Sequence, residues 1–177
     1  ASPDSDYDVR FIYVRPKDAY LRLQKHRDVI ELPINDALDI NGWDLTKTLR
    51  LLHKSNPTLF EWGASPIVYL DTDFAARFKS VMGRYFSSKR GLYHYIHMAA
   101  GNYREYIKGD MIKAKKYFYV LRPVLACRWI LDKGSPPPML FSELMESGLA
   151  PELKPEVERL LELKVNSPEI RMIPQIR

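Results

Sequence analysis

Asp6-Tyr7-Asp8-Val9-Arg10-Phe11-Ile12-Tyr13-Val14 places two carboxylates at the head of a β-rich run. Val9 to Val14 supplies β-branched and aromatic residues with no breaker before Pro16, and that composition predicts a strand over residues 7–14. Strand side chains alternate between faces, so Asp6 and Asp8 project to the same side. Two neighbouring carboxylates repel each other unless a cation sits between them. Mg²⁺ meets that need, because it prefers carboxylate oxygens together with substrate phosphates. Two such ions about 4 Å apart clamp the attacking and leaving oxygens of an in-line phosphoryl displacement. An isolated Asp-X-Asp is more often a solvated turn, so its meaning depends on the rest of the chain.

Such a centre needs a third carboxylate from a neighbouring strand. Asp28 to Leu32 reads as a second strand ended by Pro33, and residues 37–41 read as a third with Gly42 at its exit. Asp39, between Leu38 and Ile40, has the form expected of the third ligand. Asp44 is the alternative, although its place just before Leu45, Leu49 and Leu52 suits a helix cap. A short helix is expected near residues 18–21. Another is expected after Asp44, stopped by Asn56-Pro57, and a third over residues 58–62.

Ser65-Pro66 reads as a cap and first turn for a further segment, and the period is helical from Asp73 onward. Helices are expected over 73–87, 91–108 and 111–132, the last kinked by Pro123, which lacks the N–H that would bond residue 119. In the second of these, Tyr93, Ile96, Ala100, Tyr103 and Ile107 form one stripe. His94, His97, Gly101, Arg104 and Lys108 form a basic stripe beside it. Two histidines one turn apart lack a third metal ligand and read better as polar lining of a cleft. Tyrosines at this spacing read as core rather than as base-stacking groups. Pro136-Pro137-Pro138 makes a stiff loop, helices follow near 140–147 and 152–164, and the tail after Ser167-Pro168 is expected to be irregular. The fold class is therefore α+β: a small mixed sheet over residues 1–64, then a helical bundle over 65–177.

The 177 residues carry 27 Lys and Arg against 22 Asp and Glu, a net charge of +5. This excess is compatible with nucleic acid or nucleotide phosphate as partner. The hydrophobic share of 46% excludes a disordered chain. Cys127, the single cysteine, excludes an internal disulfide and a cysteine-rich zinc site, and its apolar neighbours make it an inert buried thiol. No apolar run is long enough to span a bilayer, so a cytoplasmic location without membrane association is expected. The chain starts Ala1-Ser2-Pro3 with the first motif inside ten residues, which reads as an N-terminally truncated piece.

The run from Ser2 to Arg10 resembles the catalytic strand of the DNA polymerase beta superfamily of nucleotidyltransferases. It is most similar to the bacterial and phage members associated with RNA repair. Gly42-Trp43-Asp44-Leu45, Asn56-Pro57 with Glu61-Trp62, Ser65 to Tyr69, Asn102-Tyr103-Arg104 and Lys115 to Pro123 agree in the same order, to about residue 142. The resemblance implies that Asp6 and Asp8 hold Mg²⁺, two ions in all with Mn²⁺ as a substitute; Asp39, from its place on the third strand, is expected to complete the catalytic set, with Asp44 as the alternative. It implies a nucleoside triphosphate as substrate, with an RNA end, a protein or a small molecule as acceptor. The superfamily's Gly-Ser turn, which cradles the triphosphate, is expected immediately before Ala1. Lys115, Tyr119 and Arg122 recur at i, i+4 and i+7 with Lys116 beside them. Together they form a face suited to phosphate, with Arg122 as a fork and the lysines as point charges. The rival expectation is a non-catalytic nucleotide- or nucleic-acid-binding module, or an antitoxin-like relative.

Overall fold

The computed structural model describes residues 7–33, 38–167 and 171–176. Strand β1 (Tyr7–Tyr13) is followed by a short helix α1 (Lys17–Tyr20), then β2 (Val29–Glu31) and β3 (Leu38–Asp44). The three strands form one mixed sheet in the order β1-β3-β2, with β1 and β3 parallel and β2 and β3 antiparallel. Gly42 does not end the third strand; it lies within β3 opposite Phe11. A Cβ at Gly42 would meet the Phe11 ring at 2.2 Å, so only glycine lets that ring lie across the strand.

Strand alternation explains how the sheet is mounted. Asp8, Arg10 and Ile12 share one face of β1, and Asp39, Asn41 and Trp43 share the same face of β3. One end of that face is ionic. The other end is apolar, and Ile12 and Trp43 pack against a cluster of Leu52, Leu59, Phe60, Phe78 and Met82. Those five residues come from α2 (Leu45–His53), α3 (Pro57–Gly63) and α4 (Asp73–Tyr85). Trp43 also stacks on Trp62 of α3, with ring centroids 3.7 Å apart. In α2 the buried residues are Thr48 and Leu52, and Leu49 of the expected leucine stripe is exposed. Leu59 is almost fully enclosed. Leu59→Ala is expected to cost about 2–5 kcal/mol, measured as a lowered denaturant midpoint with an unchanged m-value.

No helix follows Ser65-Pro66; residues 64–72 form a connection leading to α4, which Thr72 caps by accepting from the Ala75 N–H. Helix α5 (Ser88–Tyr106) packs on α6 (Ala114–Lys133). The side of α5 that turns inward differs from expectation. Gly91 and Tyr95 are buried, whereas Tyr93 and Tyr103 are 59% and 57% exposed. Tyr95 clusters with Ala126 and Ile130 of α6. A Cβ at Gly91 would meet Ile130 of α6 at 3.1 Å, so the packed side is the one where Gly91 leaves room for that residue.

Pro123 lies inside α6 and leaves the Tyr119 carbonyl without its helical donor. The Asn102 Nδ2 of α5 donates to that carbonyl at 2.7 Å. Gly134 ends α6 in the left-handed region at φ 64°, where its N–H bonds the Ile130 carbonyl. Residues 111–113, expected to open this helix, instead form β4 (Met111–Lys113). The tail is not irregular throughout, because β5 (Met172–Pro174) pairs antiparallel with β4. Ile173 joins Ala114, Phe118 and Leu160 in a second core. Helices α7 (Phe141–Gly148) and α8 (Lys154–Val165) complete the α+β fold. No helix among the described residues is long and apolar enough to cross a membrane.

Candidate active site

Asp8 and Asp39 lie directly opposite each other in the parallel register of β1 and β3. Their side chains therefore project together. Between them stands Arg10, two residues along β1 on the same face. Its Nη2 donates to Asp8 Oδ1 and, at 2.7 Å, to Asp39 Oδ2. Its Nη1 donates to the Asp39 carbonyl at 2.7 Å. One guanidinium thus balances two carboxylates and is tied to the backbone of the strand beneath them.

The Asp39 carboxyl is held below its ordinary value, first by the hydrogen bond from Arg10, against the opposing effect of desolvation, and further by the Arg10 charge. The folded pKa is depressed. The ion pair therefore contributes stability above the ordinary carboxylate range and loses it as pH falls through the folded value.

Asn41 follows Asp39 on the same face and pairs in register with Arg10. Its Oδ1 is buried with no hydrogen-bond partner among the described residues, while its Nδ2 donates to Glu31 Oε1 at 3.4 Å. An orphaned buried acceptor costs free energy unless water or a cation satisfies it. Two carboxylates sharing a cation, with a spare amide oxygen alongside, form an all-oxygen donor set of the type hard divalent ions prefer. These residues fit Mg²⁺. Among the described residues there is no cluster of three or more His, Cys, Asp or Glu able to hold a metal; Asp6 lies outside them.

Asp44 is placed differently from Asp39. By alternation it falls with Ile40 and Gly42, on the other face of β3. It is 3% exposed and caps α2, with Oδ1 accepting from the Thr46 N–H at 2.8 Å. Its Oδ2 accepts from the Tyr20 hydroxyl at 3.0 Å and lies 3.6 Å from Arg15 Nε. The structure pairs Asp39 with Asp8, and uses Asp44 to join β3, α1 and α2.

On α6, Lys116 Nζ sits 3.4 Å from the Tyr106 ring centroid and 4.3 Å from that of Tyr119, a cation–π arrangement. Lys115 is half-buried, and Tyr119 is partly exposed. Arg122 is half-buried with no hydrogen bond or ion pair among the described residues. It acts electrostatically on the buried Tyr95, whose hydroxyl donates to Glu61 Oε1 at 2.9 Å. Burial, then the Glu61 charge, pushes the Tyr95 phenol far up, so it stays protonated and donating. Cys127 is half-buried, and desolvation raises its thiol, which keeps it protonated at neutral pH.

Arg10 and Asn41 are site residues that the sequence reading left without a role. The signal was present, since both lie at i+2 from an assigned carboxylate on a predicted strand.

A small mixed sheet with a cation-bridged carboxylate pair, mounted on helices, defines an α+β class suited to phosphate chemistry. Comparison with known proteins makes this specific. The RNA repair pathway DNA polymerase beta family matches residues 1–177, and the chain belongs to that family. The uncharacterized protein YcgL of Bacillus subtilis (strain 168) is 51% identical over 177 residues, covering 99% of this chain and 68% of the relative. No solved structure matches.

Proposed function

We propose that this chain carries the catalytic centre of a metal-dependent nucleotidyltransferase. It moves a nucleoside monophosphate from a nucleoside triphosphate to an acceptor hydroxyl, and an RNA end is the acceptor the family description favours. The observation that carries this reading is the in-register pair of Asp8 and Asp39, held around a single cation. Asp6, Asp8 and Asp39 would hold Mg²⁺ or Mn²⁺, with two ions in the complete site. Bound there, the metal supplies charge stabilisation for the phosphate oxygens and the leaving group.

The chain's own residues do the rest by position. Adjacent strands fix the carboxylates on rigid backbone, so little reorganisation is needed when charge develops. Arg10 offsets the repulsion of the pair before substrate arrives. Asp39 is the carboxylate proposed to accept the proton of the attacking hydroxyl; Arg10 keeps it ionised but lowers its basicity, so this role requires that contact to loosen when metal and substrate bind. Lys115, Lys116, Tyr119 and Arg122 form the proposed nucleotide face, with Arg122 the cation least committed to other groups. In this organisation residues 1–64 form the nucleotidyltransferase part and residues 65–177 the helical part, and a cytoplasmic setting suits a lone protonated thiol.

The direct test is to incubate the protein with each labelled nucleoside triphosphate, Mg²⁺ and an RNA pool. Covalent label on RNA is expected. Label retained only as free nucleotide under every condition counts against the enzyme reading. A second result is expected at Arg10. Arg10→Gln removes the bridging charge and leaves two carboxylates facing each other, so the metal-free protein should melt at a lower temperature. Added Mg²⁺ should restore more of the melting temperature in this variant than in the wild type, since an ion binding only the folded state stabilises it.

A further inference from the structure

A cavity of about 520 Å³ opens between the α2–α3 turn and the first turns of α5. Lys54, Lys89, Arg90 and His94 line it, with Tyr93 at its side, and among the described residues no carboxylate contributes to the lining. Lys54 and Lys89 have no ion-pair partner among the described residues. Cations gathered in a concave surface without acids focus a positive potential, which attracts phosphate.

The walls are tied together. Ser55, the one described non-glycine residue with positive φ, at 55°, is buried at the turn. Its Oγ accepts from the Ser87 N–H at 2.8 Å, at the start of α5. Arg90 Nη1 donates to the His53 carbonyl at the end of α2 at 3.0 Å. The left-handed backbone at Ser55 carries a steric cost for a residue with a Cβ, and the cross-link to α5 holds it in place. The cavity is therefore a fixed feature of the helical packing.

The same surface continues along α5. At 100° per residue, Lys89, Arg90, Tyr93, His97 and Arg104 fall within roughly one third of the helix circumference. All five are exposed. Tyr93 and His97 stack, with centroids 6.2 Å apart. Lys89 to Arg104 spans about 22 Å at 1.5 Å per residue. A mononucleotide needs only one end of such a track. A polyanion with stackable rings uses its whole length, through cations on phosphates and aromatic faces on bases.

We infer that this cavity and the outer face of α5 bind single-stranded RNA, with phosphates at Lys54, Lys89 and Arg90 and a base on Tyr93. The assignment of that strand as the acceptor rests on the proposed nucleotidyl transfer; the binding itself does not.

The test is fluorescence anisotropy with a short labelled single-stranded RNA, without metal or nucleoside triphosphate, over a series of salt concentrations. Lys89→Ala/Arg90→Ala should weaken binding and flatten the slope of log affinity against log salt by about 1.4, at roughly 0.7 per phosphate contact on a single strand. Tyr93→Ala should weaken binding roughly 5- to 150-fold with the salt slope kept, as expected for a lost stacking contact. Circular dichroism melts confirm that each variant folds, and Tyr93→Ala, at an exposed position, serves if the double variant does not. Unchanged RNA binding in both variants overturns the inference. So does equal binding of inorganic polyphosphate with no response to Tyr93→Ala, which would make the track a general anion surface. RNA binding that follows these residues while no nucleotide is ever transferred upholds this site and removes the enzyme reading instead.

Discussion

Asp8→Asn is expected to keep the fold and lower nucleotidyl transfer by on the order of 10²–10³-fold or more, the scale of losing one preorganised charge-stabilising group. Asp8 is largely exposed and contributes no packed volume, so the isosteric change opens no cavity. The charge balance around Arg10 changes from two carboxylates per guanidinium to one. Carboxylate repulsion is relieved, and the metal-free melting temperature should stay level or rise slightly. Mg²⁺ should then raise the melting temperature less than in the wild type, because one of the anionic oxygens that favours the ion is gone. Asp39→Asn should behave alike in transfer. It should lower the metal-free stability more, since Asp39 is the better enclosed of the two carboxylates and meets Arg10 through both its side chain and its carbonyl. Melting curves with and without Mg²⁺, run beside the transfer assay, separate the two effects. Wild-type transfer by Asp8→Asn removes Asp8 from the centre. Intact Mg²⁺ and nucleotide binding by the wild-type protein with no transfer to any acceptor favours the binding-module alternative.

Residues 7–13 were legible as a strand because β-branched and aromatic residues follow one another there without a breaker. The ionic end of the sheet followed from alternation alone. That Asp8 and Asp39 face each other required the parallel β1–β3 register, a long-range property that local sequence does not encode. The helical half was less legible for a physical reason. Tyr93, Ile96 and Tyr103 have the apolar bulk of core residues, yet the α5–α6 contact is made by the side of α5 that carries Gly91 and Tyr95, where Gly91 leaves room for Ile130 and Tyr95 clusters with Ala126 and Ile130. Hydrophobicity marked one face of α5, and closeness of packing selected another. β5 was missed because a three-residue strand has no period of its own; its pairing with β4 and the burial of Ile173 create it. Asp6, on which the metal reading first rested, lies outside the described residues. The candidate site therefore stands on Asp8, Arg10, Asp39 and Asn41.

Asp44→Ala should separate structure from chemistry. Asp44 is the most buried carboxylate described here, and both its oxygens are used. Removing the helix cap costs about 0.5–2 kcal/mol. Tyr20, which is 39% exposed, and Arg15 lose this acceptor but stay within reach of water, which adds about 0.5–1.5 kcal/mol. A combined loss of about 1–3.5 kcal/mol corresponds to a fall in melting temperature of roughly 2–14 °C for a chain of this size. Asp44→Asn should be milder, because an amide oxygen still accepts from the Thr46 N–H while the charge toward Arg15 is lost. Neither substitution touches the face that carries Asp8 and Asp39. Below the melting transition, transfer per folded molecule and the Mg²⁺-induced gain in melting temperature should both stay near wild type. The opposite pattern, a small change in stability with a large loss of Mg²⁺ response, would exchange the roles of Asp44 and Asp39. It would require that the buried oxygens capping α2 turn to the other face of the sheet when metal binds.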